Sequence, residues 1–217
     1  METCHAYCIT SARDEVPDQY KGTAALIERC KSLLAISASG AGYDPVDVAA
    51  CTEAGVLVVN QAGANAQAVA EHVIAMMLSL TKNVVQSDRS LRKERGVSRE
   101  MFKGRNAQGR TVGIVGLGNV GRRVSRICAQ GLDMRVLAYD PYITESDIKT
   151  RGAIPVELDE LLSQADFVTV HCPLNAETRG MIGRQELSLM QPEAYLITTA
   201  RGGIVDEDAL IDALQHR

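Results

Sequence analysis

Three glycines that follow a short apolar stretch have the spacing G-x-G-x-x-G, which can bring a backbone against a phosphate group: Gly116, Gly118 and Gly121. Residues 111–115 have the pattern of a buried strand, and residues 119–130 have that of a helix with one apolar stripe. In this setting the first glycine permits a tight turn, the second lets the backbone approach a diphosphate, and the third lets the helix pack on the strand. The free N–H groups near Asn119 and Val120 would face the phosphates. The stretch therefore predicts a dinucleotide site.

A carboxylate ends the next apolar stretch, at Asp140, 19 residues after Gly121 (140 − 121). At this position a carboxylate can accept hydrogen bonds from the ribose hydroxyls of adenosine, and it repels a 2′-phosphate. Pro141 and Tyr142 offer no cation to receive such a phosphate. The pattern therefore favours NAD over NADP. The alternative is an Asp-Pro turn that only ends the strand.

An arginine with small neighbours follows a later apolar stretch, in the order Thr199, Ala200, Arg201, Gly202. The carboxyl ends of parallel strands face the ligand crevice, and a guanidinium there could bind a carboxylate through two parallel hydrogen bonds. The alternative is a surface arginine near the acidic residues 206–208, and composition alone favours that alternative.

The elements that must position these residues alternate along the whole chain. The first half has strand patterns at residues 6–10, 33–37 and 56–59, and helix patterns at residues 22–31, 45–54 and 66–92. The second half has strand patterns at residues 111–115, 135–139, 167–170 and 195–199, and helix patterns at residues 119–130, 156–163, 184–190 and 206–215. Such alternation predicts an α/β fold with doubly wound parallel sheets.

A basic segment separates the two halves: residues 88–110 contain eight Lys or Arg and three Asp or Glu. We interpret it as a solvated helix end and linker, because the chain as a whole is acidic; the alternative is a nucleic-acid patch. The predicted domains are residues 1–90 and residues 91–217.

Composition excludes several partner classes. The net charge is −4, so neither nucleic acid nor a membrane is an expected partner, and the longest apolar stretch, residues 69–80, is interrupted by Glu71 and His72. The start of the chain lacks the pattern of a secretory signal, and the six cysteines are scattered, so we expect reduced thiols in the cytoplasm. Cys4, His5 and Cys8 could bind a metal, but no second pair follows at zinc-site spacing, and we predict no metal.

Together these motifs resemble the D-isomer-specific 2-hydroxyacid dehydrogenases, and among them phosphoglycerate dehydrogenases most. The resemblance rests on the glycine pattern, Asp140, the Ala-Arg-Gly-Gly stretch at residues 200–203, and the segments 171–174, 40–44 and 69–72. It implies a Rossmann-type NAD-binding domain and part of a flavodoxin-like substrate domain. It also implies a 2-hydroxy or 2-oxo acid substrate and a homodimer.

The resemblance further implies roles for individual residues. Arg201 would be catalytic, since it would bind the substrate carboxylate and polarise its carbonyl. The turn formed by Ser39, Gly40, Ala41 and Gly42 would bind the same carboxylate through backbone N–H groups. Besides the glycine loop and Asp140, the cofactor would be lined by Cys172, Pro173, Thr178, Thr199, Ala200 and Arg201. Arg13 and Lys21 are two of the cations that could recognise a phosphate on the substrate.

A proton donor is the part of the machinery that the resemblance does not supply. Of four histidines, His171 is the best placed, yet in the family this position lies beside the cofactor. The family's catalytic His and Glu would come after Arg217. We therefore expect a truncated chain with little or no turnover. The alternative is a non-enzymatic NAD-binding regulatory module of the same fold.

Overall fold

The computed structural model describes residues 3–11 and 15–216. The chain divides into two compact units, Met1–Gln67 and Ala68–Arg217. The sequence predicts a boundary near residue 90 instead. The difference arises from the long helix, whose Ala70, Val73 and Met77 are fully buried in a core of the second unit.

The first unit is a three-stranded parallel sheet. Its strands are β1 (Ala6–Ile9), β2 (Ala35–Ala38) and β3 (Leu57–Val59), in the order β1-β2-β3. Parallel neighbours require a crossover, and the helices α1 (Ala24–Arg29) and α2 (Val48–Glu53) lie in these crossovers. A 3-10 turn, Asp18–Tyr20, precedes α1.

The second unit is a five-stranded parallel sheet with helices in its connections. Its strands are β4 (Thr111–Val115), β5 (Arg135–Tyr139), β6 (Ile154–Pro155), β7 (Phe167–Val170) and β8 (Tyr195–Thr198). Its later helices are α5 (Gly121–Arg126), α6 (Glu145–Thr150), α7 (Leu158–Gln164), α8 (Arg184–Leu189) and α9 (Glu207–Gln215). The strand order is β6-β5-β4-β7-β8, so the chain reverses direction across the sheet between β4 and β7.

Apolar side chains cover both faces of this second sheet. One cluster joins Val73 and Met77 of the long helix to Val124 of α5, and another joins Leu161 of α7 to Leu187 of α8. A strand covered on both faces is buried along its whole length, and all four residues of β7, Thr169 included, are buried. The predicted fold class, doubly wound α/β with a Rossmann-type domain, is confirmed.

The prediction of one helix over residues 66–92 was wrong. The structure has α3 (Ala66–Thr81) and α4 (Val84–Lys93), bent by 59° at the break, with Asn83 in the left-handed region at φ 52°. The chain returns to the end of α3, where Arg105 N donates to Thr81 O at 2.8 Å. A Cβ on Gly104 would overlap the same carbonyl, so a glycine is required beside the helix end. A 3-10 turn, Arg99–Phe102, lies in the connection.

Two further departures lie around the glycine pattern. The helix predicted over residues 119–130 begins at Gly121 and changes at Ile127 into a π-helical turn that ends at Gly131. The elements α6 and β6, which the sequence analysis missed, follow β5. Within the described residues no single helix has the length and apolar composition of a membrane span. The helices α3 and α4 have that length and composition only when they are taken together, and they are bent by 59°.

Candidate cofactor-binding site

One line of residues at the carboxyl edge of the second sheet contains most of the predicted site. Val115 of β4 is in register with Tyr139 of β5 and with Val170 of β7, and Val170 is in register with Thr198 of β8. The residues that follow these four are Asp140, Gly116, His171 and Thr199, in spatial order. The sheet therefore brings the predicted cofactor residues together where the strand order reverses, as is general for ligand sites in open α/β sheets.

The first and third glycines of the loop are required by close packing. Gly116 has a positive φ of 89°, and a Cβ there would lie 2.9 Å from Cys172 N. A Cβ on Gly121 would overlap Gly116 O and crowd Ile114, so only glycine lets α5 start this close to β4. The structure thus supports the reasons that the spacing gave for these two glycines.

The second glycine differs, since a Cβ on Gly118 would meet nothing within 4 Å. None of the described residues accepts a hydrogen bond from the backbone N–H groups of Gly118, Asn119 or Val120. Three unbonded donors beside open space are what an anionic diphosphate requires. The loop therefore fits the phosphates of a dinucleotide.

Asp140 lies against the glycine loop. Its Oδ2 accepts from Leu117 N at 2.9 Å, and its Oδ1 accepts from Tyr142 N at 3.1 Å. Both carboxylate oxygens are thus oriented by the backbone next to the loop. Tyr142 OH donates to the Glu177 carboxylate, which adds a second negative charge nearby, and this hydrogen bond raises the pKa of the Tyr142 phenol.

The loop after β7 is built around Thr178, whose side chain is buried. Thr178 Oγ1 donates to Pro173 O at 2.6 Å, and Asn175 Oδ1 accepts from the backbone N–H groups of Glu177 and Thr178. These bonds fix the loop that begins with Cys172 and Pro173. Burial raises the pKa of the half-buried Cys172 thiol, so the thiol is protonated at neutral pH.

His171 is enclosed between two threonines at the same edge. Its Nε2 lies 2.9 Å from Thr169 Oγ1, and its Nδ1 lies 3.5 Å from Thr199 Oγ1. Burial lowers the pKa of His171 to about 4, so the ring is neutral at physiological pH. A neutral ring held by hydroxyls suits a packing role better than proton donation.

Arg201 is exposed and lies three residues after the end of β8. Its Nη1 donates to Ala200 O at 3.1 Å. The side chain is therefore at the carboxyl edge, as predicted from its place after an apolar strand.

The predicted substrate turn belongs to the first unit. It follows β2, and its carbonyls are bonded: Gln61 N donates to Gly40 O at 2.9 Å, and Asn60 Nδ2 donates to Ala41 O at 2.8 Å. A Cβ on Gly40 would lie 2.5 Å from Ser11 Oγ. Of the two cations considered for phosphate recognition, Lys21 pairs with Asp18, and Arg13 lies outside the described residues.

Sequence reasoning missed one residue at this site, Arg151, whose Nη1 donates to Leu117 O at 2.6 Å. It follows the polar helix α6, where no apolar periodicity pointed to a helix. The stop signal of Gly152 and the pattern Thr144-x-x-Asp147 were the available clues. Among the described residues, no group of three or more His, Cys, Asp or Glu side chains could hold a metal ion.

The sheet order, the glycine loop and the acidic residue after β5 define an α/β dinucleotide-binding unit. The chain belongs to the D-isomer specific 2-hydroxyacid dehydrogenase family, whose NAD binding domain matches residues 74–217. The predicted family and the NAD cofactor are thus confirmed.

Relatives and solved structures agree with this assignment. The chain is 40% identical over 200 residues to a D-3-phosphoglycerate dehydrogenase of Archaeoglobus fulgidus, covering 92% of this chain and 38% of that protein. It is 41% identical over 192 residues to one of Mycobacterium bovis, covering 88% and 36%. A D-lactate dehydrogenase from Aquifex aeolicus, complexed with NAD and lactic acid, superimposes with a TM-score of 0.87 at 32% identity, covering 99% of this chain and 62% of that one. The chain thus spans well under half the length of these curated relatives.

Proposed function

We propose that this chain serves an NAD-dependent oxidoreductase of D-2-hydroxy acids and 2-oxo acids, of the phosphoglycerate dehydrogenase type. The observation that carries the proposal is the line of Asp140, Gly116, His171 and Thr199 at one sheet edge. Beside it are three backbone N–H groups, at residues 118–120, from which no described residue accepts a hydrogen bond. The homodimer and the cytoplasmic location predicted from the sequence belong to the same proposal. Exposed Val84, Val85 and Leu91 on α4 suit a dimer contact.

In this proposal the chain's own residues hold the cofactor in a fixed direction. Backbone N–H groups of Asn119 and Val120 bind the diphosphate, and Asp140 accepts from the adenosine ribose. Cys172, Pro173 and Thr178 line the next part of the crevice, and Thr199 and Ala200 lie beside the nicotinamide. NAD, when bound, supplies a hydride acceptor or donor at this edge.

Arg201 binds the substrate carboxylate and polarises the carbonyl of the 2-oxo acid. A guanidinium suits both tasks because it stays charged and presents several donors in one plane. The turn of Ser39, Gly40, Ala41 and Gly42 binds a carboxylate through the N–H groups of Gly40, Ala41 and Gly42, because Ser39 N already donates to Ile9 O at 2.8 Å. Since the carbonyls of Gly40 and Ala41 are already bonded, the turn is set in one conformation.

Reduction of a 2-oxo acid also needs a proton for the forming alkoxide. His171 lies at this edge, and burial lowers its pKa to about 4, so at neutral pH it is not the imidazolium that could act as a general acid. His5, His72 and His216 are exposed. We therefore propose that the 217 residues alone bind NADH with little or no turnover.

A titration followed by nicotinamide fluorescence tests the cofactor part of the proposal. The wild-type chain should bind NADH and bind NADPH more weakly, because Asp140 repels the 2′-phosphate. Gly121→Val should weaken NADH binding by about a hundredfold or more, since its side chain overlaps Gly116 O and moves the loop. The matched control is Gly131→Ala, where a Cβ meets nothing within 4 Å. Unchanged binding by Gly121→Val would overturn the site.

The same samples with NADH and hydroxypyruvate test the turnover part. We expect bound NADH that is not oxidised even at high protein concentration. Rapid oxidation would contradict the role given to the histidines. Binding without oxidation, together with a partner protein that responds to NADH, would favour the regulatory module over the enzyme.

A further inference from the structure

Leu117 is held by side chains on both of its peptide groups. Its N–H donates to Asp140 Oδ2 at 2.9 Å, and its carbonyl accepts from Arg151 Nη1 at 2.6 Å. Leu117 is also fully buried. Its side chain, its N–H group and its carbonyl are therefore all fixed. The Asp140 bond belongs to a residue with an expected cofactor role, whereas nothing in the sequence analysis assigned one to Arg151.

Arg151 is itself tied to the glycine-loop helix. It caps the carboxyl end of α6, and its carbonyl accepts from Ser125 Oγ at 2.8 Å. Ser125 lies on α5 and is fully buried. Gly152 then turns the chain with a φ of 79°. Ser125 thus anchors the backbone of Arg151 to α5, the helix that follows the glycine loop. From that position the half-buried guanidinium reaches the loop.

Arg151 has no carboxylate partner among the described ion pairs, so its charge is directed at a backbone carbonyl. A hydrogen bond from a charged donor is shorter and stronger than a neutral one. Such a bond holds the plane of the peptide that joins Leu117 to Gly118. In a trans peptide the carbonyl and the N–H point in opposite directions. The Gly118 N–H is consequently directed away from Arg151.

We propose that Arg151 is a positioning residue for the dinucleotide phosphates. By holding Leu117 O, it directs the Gly118 N–H, which none of the described residues accepts, toward the space beside Gly118 where the diphosphate binds. Asp140 fixes the preceding peptide and Arg151 the following one. The inference requires NAD binding by the loop and does not depend on the substrate or the reaction.

NADH titrations of Arg151→Met test this role, because methionine keeps much of the aliphatic stem without the donor. We expect Kd to rise by about tenfold, since one oriented donor to the phosphates is lost. The Kd of Arg151→Lys, which retains a charged donor, should lie between those of the wild type and Arg151→Met. The control is Lys149→Met on α6, whose side chain is 63% exposed and pairs with Glu145. Its Kd should change by less than about twofold, as expected for an exposed charge.

A measurement without cofactor separates positioning from a direct charge effect. In amide NMR spectra of the cofactor-free chain, Arg151→Met should shift the Gly118 and Leu117 resonances, and Lys149→Met should not. A bond that only stabilised the fold would lower the urea midpoint and leave Kd unchanged, which would overturn the proposal. Equal changes of Kd in Arg151→Met and Lys149→Met would also overturn the proposal. If Arg151→Met does not fold, Arg151→Gln replaces it.

The failure of this proposal differs from failure of the proposed function. If the wild-type chain does not bind NADH, the cofactor site itself is wrong. If the wild-type chain binds NADH and Arg151→Met binds equally well with unshifted Gly118, only the positioning role is wrong.

Discussion

The two loops that follow central strands, one in each unit, are stabilised in a similar way but rest on differently covered sheets. After β2, the carbonyls of Gly40 and Ala41 accept hydrogen bonds from Gln61 N and Asn60 Nδ2. After β4, Leu117 is held at its N–H by Asp140 and at its carbonyl by Arg151. In both places hydrogen bonds to the carbonyls fix the backbone of the loop.

The sheets beneath these loops differ in burial. In β4, which precedes the glycine loop, every residue but Thr111 is buried, whereas in β2 buried residues alternate with partly exposed ones. On the edge strand β3, Leu57 and Val59 are 61% and 40% exposed. A parallel sheet is ordinarily covered on both faces, because its crossovers place helices there. The second unit therefore supports its loop with two packed layers of apolar side chains, whereas the strand that precedes the loop of the first unit is less completely buried.

The largest effect should follow from opening the core under the glycine loop. Leu161 is fully buried, and a Cβ on Gly113 of β4 would overlap its side chain, so the packing there is close. Leu161→Ala should lower the free energy of unfolding by about 4 kcal/mol, the cost of a buried cavity that cannot collapse. Urea unfolding followed by circular dichroism measures it, since the chain has no tryptophan.

Leu57→Ala is the matched control in the first unit. Because Leu57 is 61% exposed, its truncation should change the unfolding free energy by less than about 0.5 kcal/mol. Similar losses in the two variants would show that β3 is covered to the same degree as the second sheet, and the contrast between the units would fail.

This contrast also explains how much of the molecule the sequence predicted. The bounds of β4, β5 and β7 follow from apolar runs, which burial on both faces demands. The site edge followed because Gly116 and Asp140 come directly after such runs. The spacing of these residues was sufficient to predict which edge of the sheet they occupy.

The features that were missed depend on contacts distant in sequence or on polar segments. The helix α6 has one buried residue, Ile148, and is stabilised by the Thr144 cap and the pair Lys149–Glu145 rather than by an apolar stripe. Arg151 was missed with it, since a bond across 34 positions leaves no local pattern. The bend at Asn83 likewise depends on where the chain returns to α3.

A smaller effect, about 3 kcal/mol, should appear as a pH dependence of the free energy of unfolding, caused by His171 in the second unit. The pKa of His171 is lowered by burial to about 4, from 6.5. As the pH falls below 6.5, the unfolded chain takes up a proton that folded His171 does not accept until about pH 4, so stability is lost over that range. The full difference corresponds to about 3 kcal/mol.

His171→Gln should remove this component of the pH dependence. The unfolding free energies of the wild type and His171→Gln are measured at several pH values between 4 and 7 and subtracted. The titration of the carboxylates, which both proteins share, cancels in this difference. The control is His5→Gln in the first unit, because His5 is exposed. Parallel curves for His171→Gln and the wild type would show that the pKa of His171 is the same in the folded and unfolded chain, which would contradict the prediction.

The smallest effect tests the loop of the first unit. Asn60→Ala removes the donor to Ala41 O, an exposed neutral hydrogen bond, and should cost about 1 kcal/mol or less. Gln61→Ala is the control, because Gln61 bonds Gly40 O through its backbone N–H, which the substitution keeps. Hydrogen exchange should accelerate at Ala41 and Gly42 in Asn60→Ala only. If exchange accelerates throughout the first unit instead, the side chain of Asn60 stabilises the whole sheet, and the loops of the two units differ in kind.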